Sequence, residues 1–447
     1  MLRIATIGTS MITDDFIQVV NANDQAAFVG TLSRDADRGA AFTAERGGER
    51  NFTSLDELAA ADDVDAVYIG SPNALHYEQA LACIAGGKHV IVEKPFCATE
   101  AQALEVFRAA EAAGVVALEA MRPLHDPAFH AIEDALGEIA PIRRASLRFG
   151  KYSSRYNEIL AGRATNIFDC NMASGSLMDI GVYTVEPMVE IFGMPSGLTS
   201  MATLLDPTTR QLTHGPIDGC GSILASYGGG RISVELAHSK ITNDLLPSQI
   251  EGERGTIQID HLSTPRNVRI DYRGDVVRGS ATEAPRGQGD NGRVLDLPKS
   301  SNTMEYELTD FITAIGGIDN VKEEIWESPA GRHELGHYRD VTLVSLRIMD
   351  AVRQQAGITA GLLCSQATRP LKTLPCAISC AGRGKSKALV FALPTPTSRR
   401  HAHSPAGCVT WKTAQSRWRY RELRQTSYLI SRHFMPPTSA WERVFAL

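Results

Sequence analysis

No stretch of the 447 residues approaches the ~18 consecutive apolar side chains that a membrane-spanning helix needs, so none is expected. The opening run Met1-Leu2-Arg3-Ile4-Ala5-Thr6-Ile7-Gly8 lacks a basic region followed by a long apolar core and a small-residue cleavage site, and the expectation is a cytoplasmic protein. Cysteine is sparse, with 8 residues and no Cys-x-x-Cys pair, which argues against a structural zinc site or a redox couple. Cys83, Cys97, Cys170 and Cys220 lie far apart and are expected as buried reduced thiols, and no metal ligand set is anticipated. With 43% apolar and 21% charged residues, neither a fully disordered nor a fibrous class fits, and the length calls for more than one core.

Acidic residues nearly vanish after Ile358. From Thr359 onward fourteen Lys and Arg face only Glu422 and Glu442, whereas 31 basic and 49 acidic residues precede that point. The split marks a boundary, and 359–447 is set apart as a basic tail rich in Cys, Trp and Arg. Three readings of it stand. It is a nucleic-acid-binding extension through Arg417, Arg419, Arg421 and Arg424 interleaved with Trp418 and Tyr420, a disordered tail, or the product of a shifted reading frame. The last is favoured, with no ordered domain and no nucleic-acid partner expected.

The first 120 residues alternate short β-rich apolar runs with amphipathic stretches, the pattern of βαβ units and a doubly wound parallel sheet. Strands are expected at 2–8, 26–33, 66–71, 89–93 and 115–119. A helix between the last two has readable ends, with Thr99 and Gln102 as a capping box and Gly114 as the C-terminal glycine. From Pro123 the texture changes to longer alternating segments at 142–149, 222–227, 231–237 and 268–272, with Gly228-Gly229-Gly230 as a turn and 274–301 as a loop. The expected architecture is α/β: a dinucleotide-binding Rossmann domain over 1–122, then an α+β domain over 123–358 with a largely antiparallel open sheet. A helix at 338–355, ending before Gly357, closes it.

A sheet of this kind binds ligands at the carboxyl ends of its strands. After the first run comes Gly8-Thr9-Ser10-Met11-Ile12-Thr13, which keeps only the first glycine of a dinucleotide fingerprint. Ser10 is small enough to let backbone N–H groups approach a pyrophosphate, while Thr13 fits the third position less well. The second run ends in Ser33-Arg34, where an NAD-specific fold tends to carry an acidic residue for the ribose hydroxyl. A hydroxyl and a guanidinium suit a 2′-phosphate instead, which favours NADP, with NAD still open.

The third run leads into Ser71-Pro72-Asn73-Ala74-Leu75-His76, and the fourth, preceded by Gly87-Lys88-His89-Val90, into Glu93-Lys94-Pro95. These motifs, in this order at consecutive strand ends, resemble the glucose-fructose oxidoreductase and inositol dehydrogenase family. The resemblance extends over about 1–358. It includes Asp179 and Tyr183 within Gly175-Ser176-Leu177-Met178-Asp179-Ile180-Gly181-Val182-Tyr183, and Glu251-Gly252-Glu253-Arg254-Gly255-Thr256 as the family's second-domain hairpin. The i, i+4 spacing puts Asp179 and Tyr183 on one helical face.

The resemblance implies a cofactor site formed by Gly8, Thr9, Ser10, Met11, Ile12, Ser33, Arg34, Ser71, Pro72, Asn73, His76, Glu93 and Lys94. It implies catalysis by Lys94, Tyr183 and Asp179, and hydride transfer between nicotinamide and a sugar, polyol or diol. Reducing a carbonyl calls for a cation or acid already placed at the oxygen where negative charge develops. Lys94 suits that role, and a partly buried lysine can have its pKa lowered toward working pH. Tyr183 passes a proton and Asp179 orients Lys94 or the substrate hydroxyls. Arg122 and His125, at the expected domain junction, receive no role. A homo-oligomer through the second sheet is expected, and the alternative function is a non-catalytic ligand sensor on the same fold.

Overall fold

A computed structural model describes residues 1–274, 291–319 and 335–358. The basic tail therefore lies outside the described residues, as does most of the expected loop at 274–301. No helix among the described residues is long and apolar enough to cross a membrane.

Six parallel strands form the first sheet: β1 (Leu2–Ile7), β2 (Ala26–Leu32), β3 (Arg50–Phe52), β4 (Ala66–Ile69), β5 (His89–Glu93) and β6 (Ala117–Ala120). Their order is β3-β2-β1-β4-β5-β6, so the direction of travel reverses between β1 and β4 and opens a crevice at their carboxyl ends. All four residues of β4 are buried, as expected of a strand covered on both faces. Phe16, from the helix Met11–Asn21, stacks on Tyr68 with ring centroids 3.9 Å apart. β3 was not anticipated. It is three residues long at the sheet edge, too short to show a period.

The helix Glu100–Ala113 starts where its cap predicts, the Thr99 hydroxyl accepting from Gln102 N at 3.3 Å. The Gln102 side chain reaches back to Ala98 N at 3.2 Å, one residue before the cap itself. Gly114 ends the helix at φ +68°, the left-handed conformation that favours glycine.

The second sheet has eight strands: β7 (Ile142–Gly150), β8 (Gly197–Leu204), β9 (Asp218–Tyr227), β10 (Ile232–Ser239), β11 (Ser248–Gly252), β12 (Gly255–Ile259), β13 (Val268–Tyr272) and β14 (Gly292–Val294). Their order is β14-β13-β12-β11-β7-β10-β9-β8, and every neighbouring pair is antiparallel except β7 with β10. The expected hairpin around Glu251 is β11 with β12, and the triple-glycine turn joins β9 to β10. One face packs on the helices Val182–Phe192 and Leu335–Gln355; the other carries exposed Met201 and Leu224. β8 escaped sequence reading because none of its residues is fully buried, so it shows no apolar stripe. β14 falls inside the stretch expected to be wholly loop, and the helix Met304–Asp319 was also not foreseen.

The helix Leu335–Gln355 returns to the first sheet. Its Asp350 accepts from Glu100 N at 3.0 Å, and its Thr342 hydroxyl donates to Glu119 at 2.6 Å. Cys83, Cys97 and Cys170 are buried free thiols, while Cys220 is partly exposed, in contrast to the expectation for it.

Candidate active site

The turn after β1 is shaped by Gly8. Its φ is +109°, and a Cβ there would come 2.9 Å from the carbonyl oxygen of Gly70, at the end of β4. The chain therefore passes close to its neighbour before entering the helix Met11–Asn21. Ser10 caps that helix, its hydroxyl lying 3.4 Å from Thr13 N and 3.0 Å from Thr13 Oγ1. The N–H groups of Met11 and Ile12 sit in the first helical turn, where intrahelical partners are lacking. Thr9 is half-buried beside them and the Met11 side chain is exposed. Thr13, set where a third fingerprint glycine would stand, is fully buried, and its hydroxyl fills the space that Gly70 leaves open.

Ser33 and Arg34 follow β2. Ser33 is half-buried and accepts from Asp35 N at 3.3 Å; Arg34 is exposed. One turn further, Arg38 donates to the carbonyl of Thr9 at 3.2 Å, setting a second guanidinium beside the glycine turn. Sequence reading missed Arg38, whose signal was its position one helical turn after Ser33-Arg34.

His76 is fully buried. Its Nε2 lies 2.8 Å from the Ser71 carbonyl and its Nδ1 3.1 Å from the Pro95 carbonyl, so the ring bridges the loops that follow β4 and β5. A neutral imidazole donates to only one of these oxygens. Burial pushes its pKa down, so the neutral form persists at pH 7. Pro72 opens the short helical turn Asn73–Leu75, and the Asn73 side chain donates to the Ala173 carbonyl at 2.9 Å, reaching the second part of the molecule. Ser71 donates to Gln79 at 2.6 Å. Glu93 is buried and accepts from the Tyr68 hydroxyl at 2.7 Å; burial raises its pKa, with Lys94 opposing.

Lys94 stands just beyond β5. Its Nζ donates to the carbonyl of Asp179 at 2.9 Å and to Oδ1 of the same residue at 3.0 Å, and it lies 4.8 Å from the centre of the Tyr183 ring. The expected trio thus converges. Asp179 belongs to a π-helical turn, Leu177–Gly181, that runs into the helix Val182–Phe192, and such turns often mark functional sites. The turn is held from behind by buried groups. Asp218 accepts from Leu177 N at 2.6 Å, and Ser176 pairs with His238 Nδ1 at 2.9 Å. Tyr183 packs edge-on to Phe149, 5.3 Å between centroids.

The electrostatics overturn one expectation. Burial pushes the Lys94 ammonium toward neutrality, but the negative charge of Asp179 and the hydrogen bond to it outweigh burial and hold the pKa above the ordinary lysine value. Lys94 is therefore a fixed cation at neutral pH. Burial opposes ionisation of Asp179, yet Lys94 and a second lysine, Lys240, keep its pKa well below the carboxylate range. Burial raises the Tyr183 pKa, so its phenol stays protonated. Lys240 was not foreseen, because a lysine after an alternating strand carries no sequence signal of burial.

Arg122 and His125 sit at the end of β6. His125 is buried, its Nδ1 2.8 Å from Asp310 Oδ2, and is structural. The half-buried guanidinium of Arg122 stays charged, burial being outweighed by Glu307, Tyr183 and Glu93.

The sequence model of an oxidoreductase family with an NAD-binding Rossmann fold matches residues 2–120. Scyllo-inositol 2-dehydrogenase (NADP(+)) of Bacillus subtilis is 36% identical over 360 residues, covering 80% of this chain and 98% of the relative. Trans-1,2-dihydrobenzene-1,2-diol dehydrogenase of Mus musculus is 28% identical over 295 residues, covering 64% and 80%. Among solved structures, a 3-ketoreductase from Actinomadura kijaniata in complex with NADP and TDP-benzene superposes with a TM-score of 0.63 at 23% identity. It covers 79% of this chain and 98% of that one, and at that identity it speaks to fold.

Proposed function

This chain belongs to the glucose-fructose oxidoreductase and inositol dehydrogenase (Gfo/Idh/MocA) family of NAD(P)-dependent oxidoreductases acting on CH–OH groups, and on that premise we propose that it moves a hydride between NADP and a sugar-like polyol, cyclitol or diol. The observation that carries the reading is the convergence of Lys94, Asp179 and Tyr183 beyond β5, at the carboxyl edge of the first sheet.

The residues present fit a dinucleotide. Gly8 leaves a backbone cradle that a Cβ would close, and the first turn of the helix Met11–Asn21 offers N–H groups to a pyrophosphate. Ser33 and Arg34 would hold a 2′-phosphate, with Arg38 nearby, which supports NADP over NAD; the Bacillus subtilis relative is named as NADP-dependent. Gly8 to Ile12 and Ser71 to Asn73, with Lys94, would form the remaining wall, and the buried His76 and Glu93 would support it from behind. When bound, the nicotinamide supplies or accepts the hydride.

The chain's own side chains handle the oxygen. Lys94 is charged and held by Asp179, so its Nζ stabilises negative charge on the reacting oxygen without reorganising. Tyr183 keeps its proton at neutral pH and donates it to that oxygen in the reducing direction. We assign the cofactor to 1–122 and the substrate to 123–358. The open face of the second sheet, with Met201 and Leu224 exposed, is the surface through which we expect two copies to meet. The test is turnover across sugar ketones, aldoses, inositols and diols, followed by nicotinamide absorbance. No turnover on any of them would instead favour a ligand sensor.

A further inference from the structure

Asp179 has a second ammonium partner that the chemistry above does not use. Lys240 follows β10 directly, and its side chain is only 4% exposed, with Nζ hydrogen-bonded to Asp179 Oδ2 while Lys94 occupies Oδ1. Its backbone is pinned on both sides: Lys240 N donates to Gly219 O and its carbonyl accepts from Ser153 N, each at 2.9 Å. The side chain runs past Phe168, with Nζ 5.8 Å from the ring centre.

Two features separate this from an ordinary ion pair. A lysine ammonium has three donors, and Asp179 Oδ2 engages one of them. Within this three-group cluster two ammonium groups face one carboxylate, a surplus of +1, and the carboxylate is 30% exposed while both lysines are largely enclosed. Burial lowers the Lys240 pKa, with Asp179 opposing, and raises those of the neighbouring Glu93 and Asp218. Buried charge is expected to be balanced. Hydride transfer to a carbonyl places such a negative charge on the substrate oxygen until Tyr183 protonates it.

We propose that Lys240 is a positioning residue for the reaction: it fixes the outer oxygen of Asp179 so that the inner oxygen holds Lys94, and it supplies the surplus positive charge that a singly charged substrate oxyanion neutralises. This rests on the oxidoreductase reading above. Lys240 acts through Asp179 and does not itself touch the reacting atoms. Its effect falls on the charged transition state more than on the neutral substrate, so it belongs in kcat rather than KM.

The experiment has two arms. In the first, Lys240→Met and Lys240→Arg are compared with the parent on its best substrate. Lys240→Met should lower kcat roughly tenfold or more with KM and NADPH affinity nearly unchanged, and Lys240→Arg should restore most of the loss. A structural lysine would give matched losses in NADPH affinity and thermal stability with no rescue of kcat by arginine, and that pattern overturns the proposal. In the second arm, formate is titrated into the cofactor-free proteins as a small singly charged oxyanion. Binding should weaken about fivefold or more in Lys240→Met, and equal affinities overturn the surplus-charge claim. If Lys240→Met fails to fold by circular dichroism, Lys240→Gln takes its place in both arms. A parent that turns over nothing, yet whose formate binding depends on Lys240, sinks the oxidoreductase reading and leaves the charge assignment standing.

Discussion

Thr13 and Gly70 share one space: a Cβ on Gly70 would lie 2.8 Å from Thr13 Oγ1, and the Thr13 side chain is fully buried. The helix after β1 can therefore sit close to β4 without a glycine of its own at that point, because the glycine stands immediately after the strand. Gly70→Ala should destabilise the protein by about 1–3 kcal/mol through overpacking, since Tyr68 crowds the same position at 2.9 Å. Thr13→Ala in the same chain should recover part of the loss. Urea unfolding of the four members of this double-mutant cycle measures the coupling, and strict additivity would show that the two residues do not share the space.

That pair also marks how far the sequence was legible. Thr13 read as a poor match to a glycine fingerprint because the fingerprint lies along one segment, whereas the compensation lies 57 residues away, just past another strand. The parallel strands β1, β2, β4 and β5 were readable from their short, β-rich apolar runs, and Lys94, Asp179 and Tyr183 from motifs at strand and helix ends. Lys240 and Arg38 were not, since their significance comes from what the fold places opposite them. The charge state of Lys94 was misjudged for the same reason. Burial alone lowers a lysine; the sequence reading paired Asp179 with Lys94, but only the structure puts the carboxylate at 3.0 Å, close enough to outweigh burial.

Cofactor choice is open to a direct test. With Ser33 and Arg34 beyond β2 and Arg38 beside the glycine turn, NADPH should bind the parent more tightly than NADH, and Arg34→Asp should narrow or reverse the difference. Titration by nicotinamide fluorescence reads both affinities. Equal values in the parent would remove the 2′-phosphate assignment.

A buried carboxyl pair predicts a pH dependence of stability. Glu119 accepts from Phe96 N at 2.7 Å and from Thr342 at 2.6 Å, and it shares a hydrogen bond with Glu186, whose pKa burial drives well up. Burial raises Glu119 to about 7. Its folded pKa lies above the unfolded value, so the stability it contributes is complete below the ordinary carboxylate range and is lost as pH rises toward about 7. The loss across that window should be roughly 3 kcal/mol. Glu119→Gln, which cannot ionise, should flatten the slope between about pH 4.5 and 7 in unfolding measured at several pH values. An unchanged slope would place the titration elsewhere.

The chemistry itself turns on Lys94. A charge developing on the reacting oxygen is stabilised only by a donor already in place, and Lys94 is held in place by two hydrogen bonds to one residue, at 2.9 and 3.0 Å. Because Asp179 keeps it protonated, it works as a fixed cation, and the rate should show no titration of a lysine near neutral pH. Lys94→Ala should lower the hydride-transfer rate by about a hundredfold or more, with NADPH affinity largely kept. Tyr183→Phe separates proton donation from packing, since the ring stays against Phe149 and beneath the ammonium while the hydroxyl is lost. If Tyr183 is the donor, its variant should fall nearly as far as Lys94→Ala in carbonyl reduction. If Lys94 polarises the oxygen unaided, the loss should stay within a few-fold. Single-turnover rates on the best substrate decide between these, and full activity in Lys94→Ala would remove the mechanism altogether.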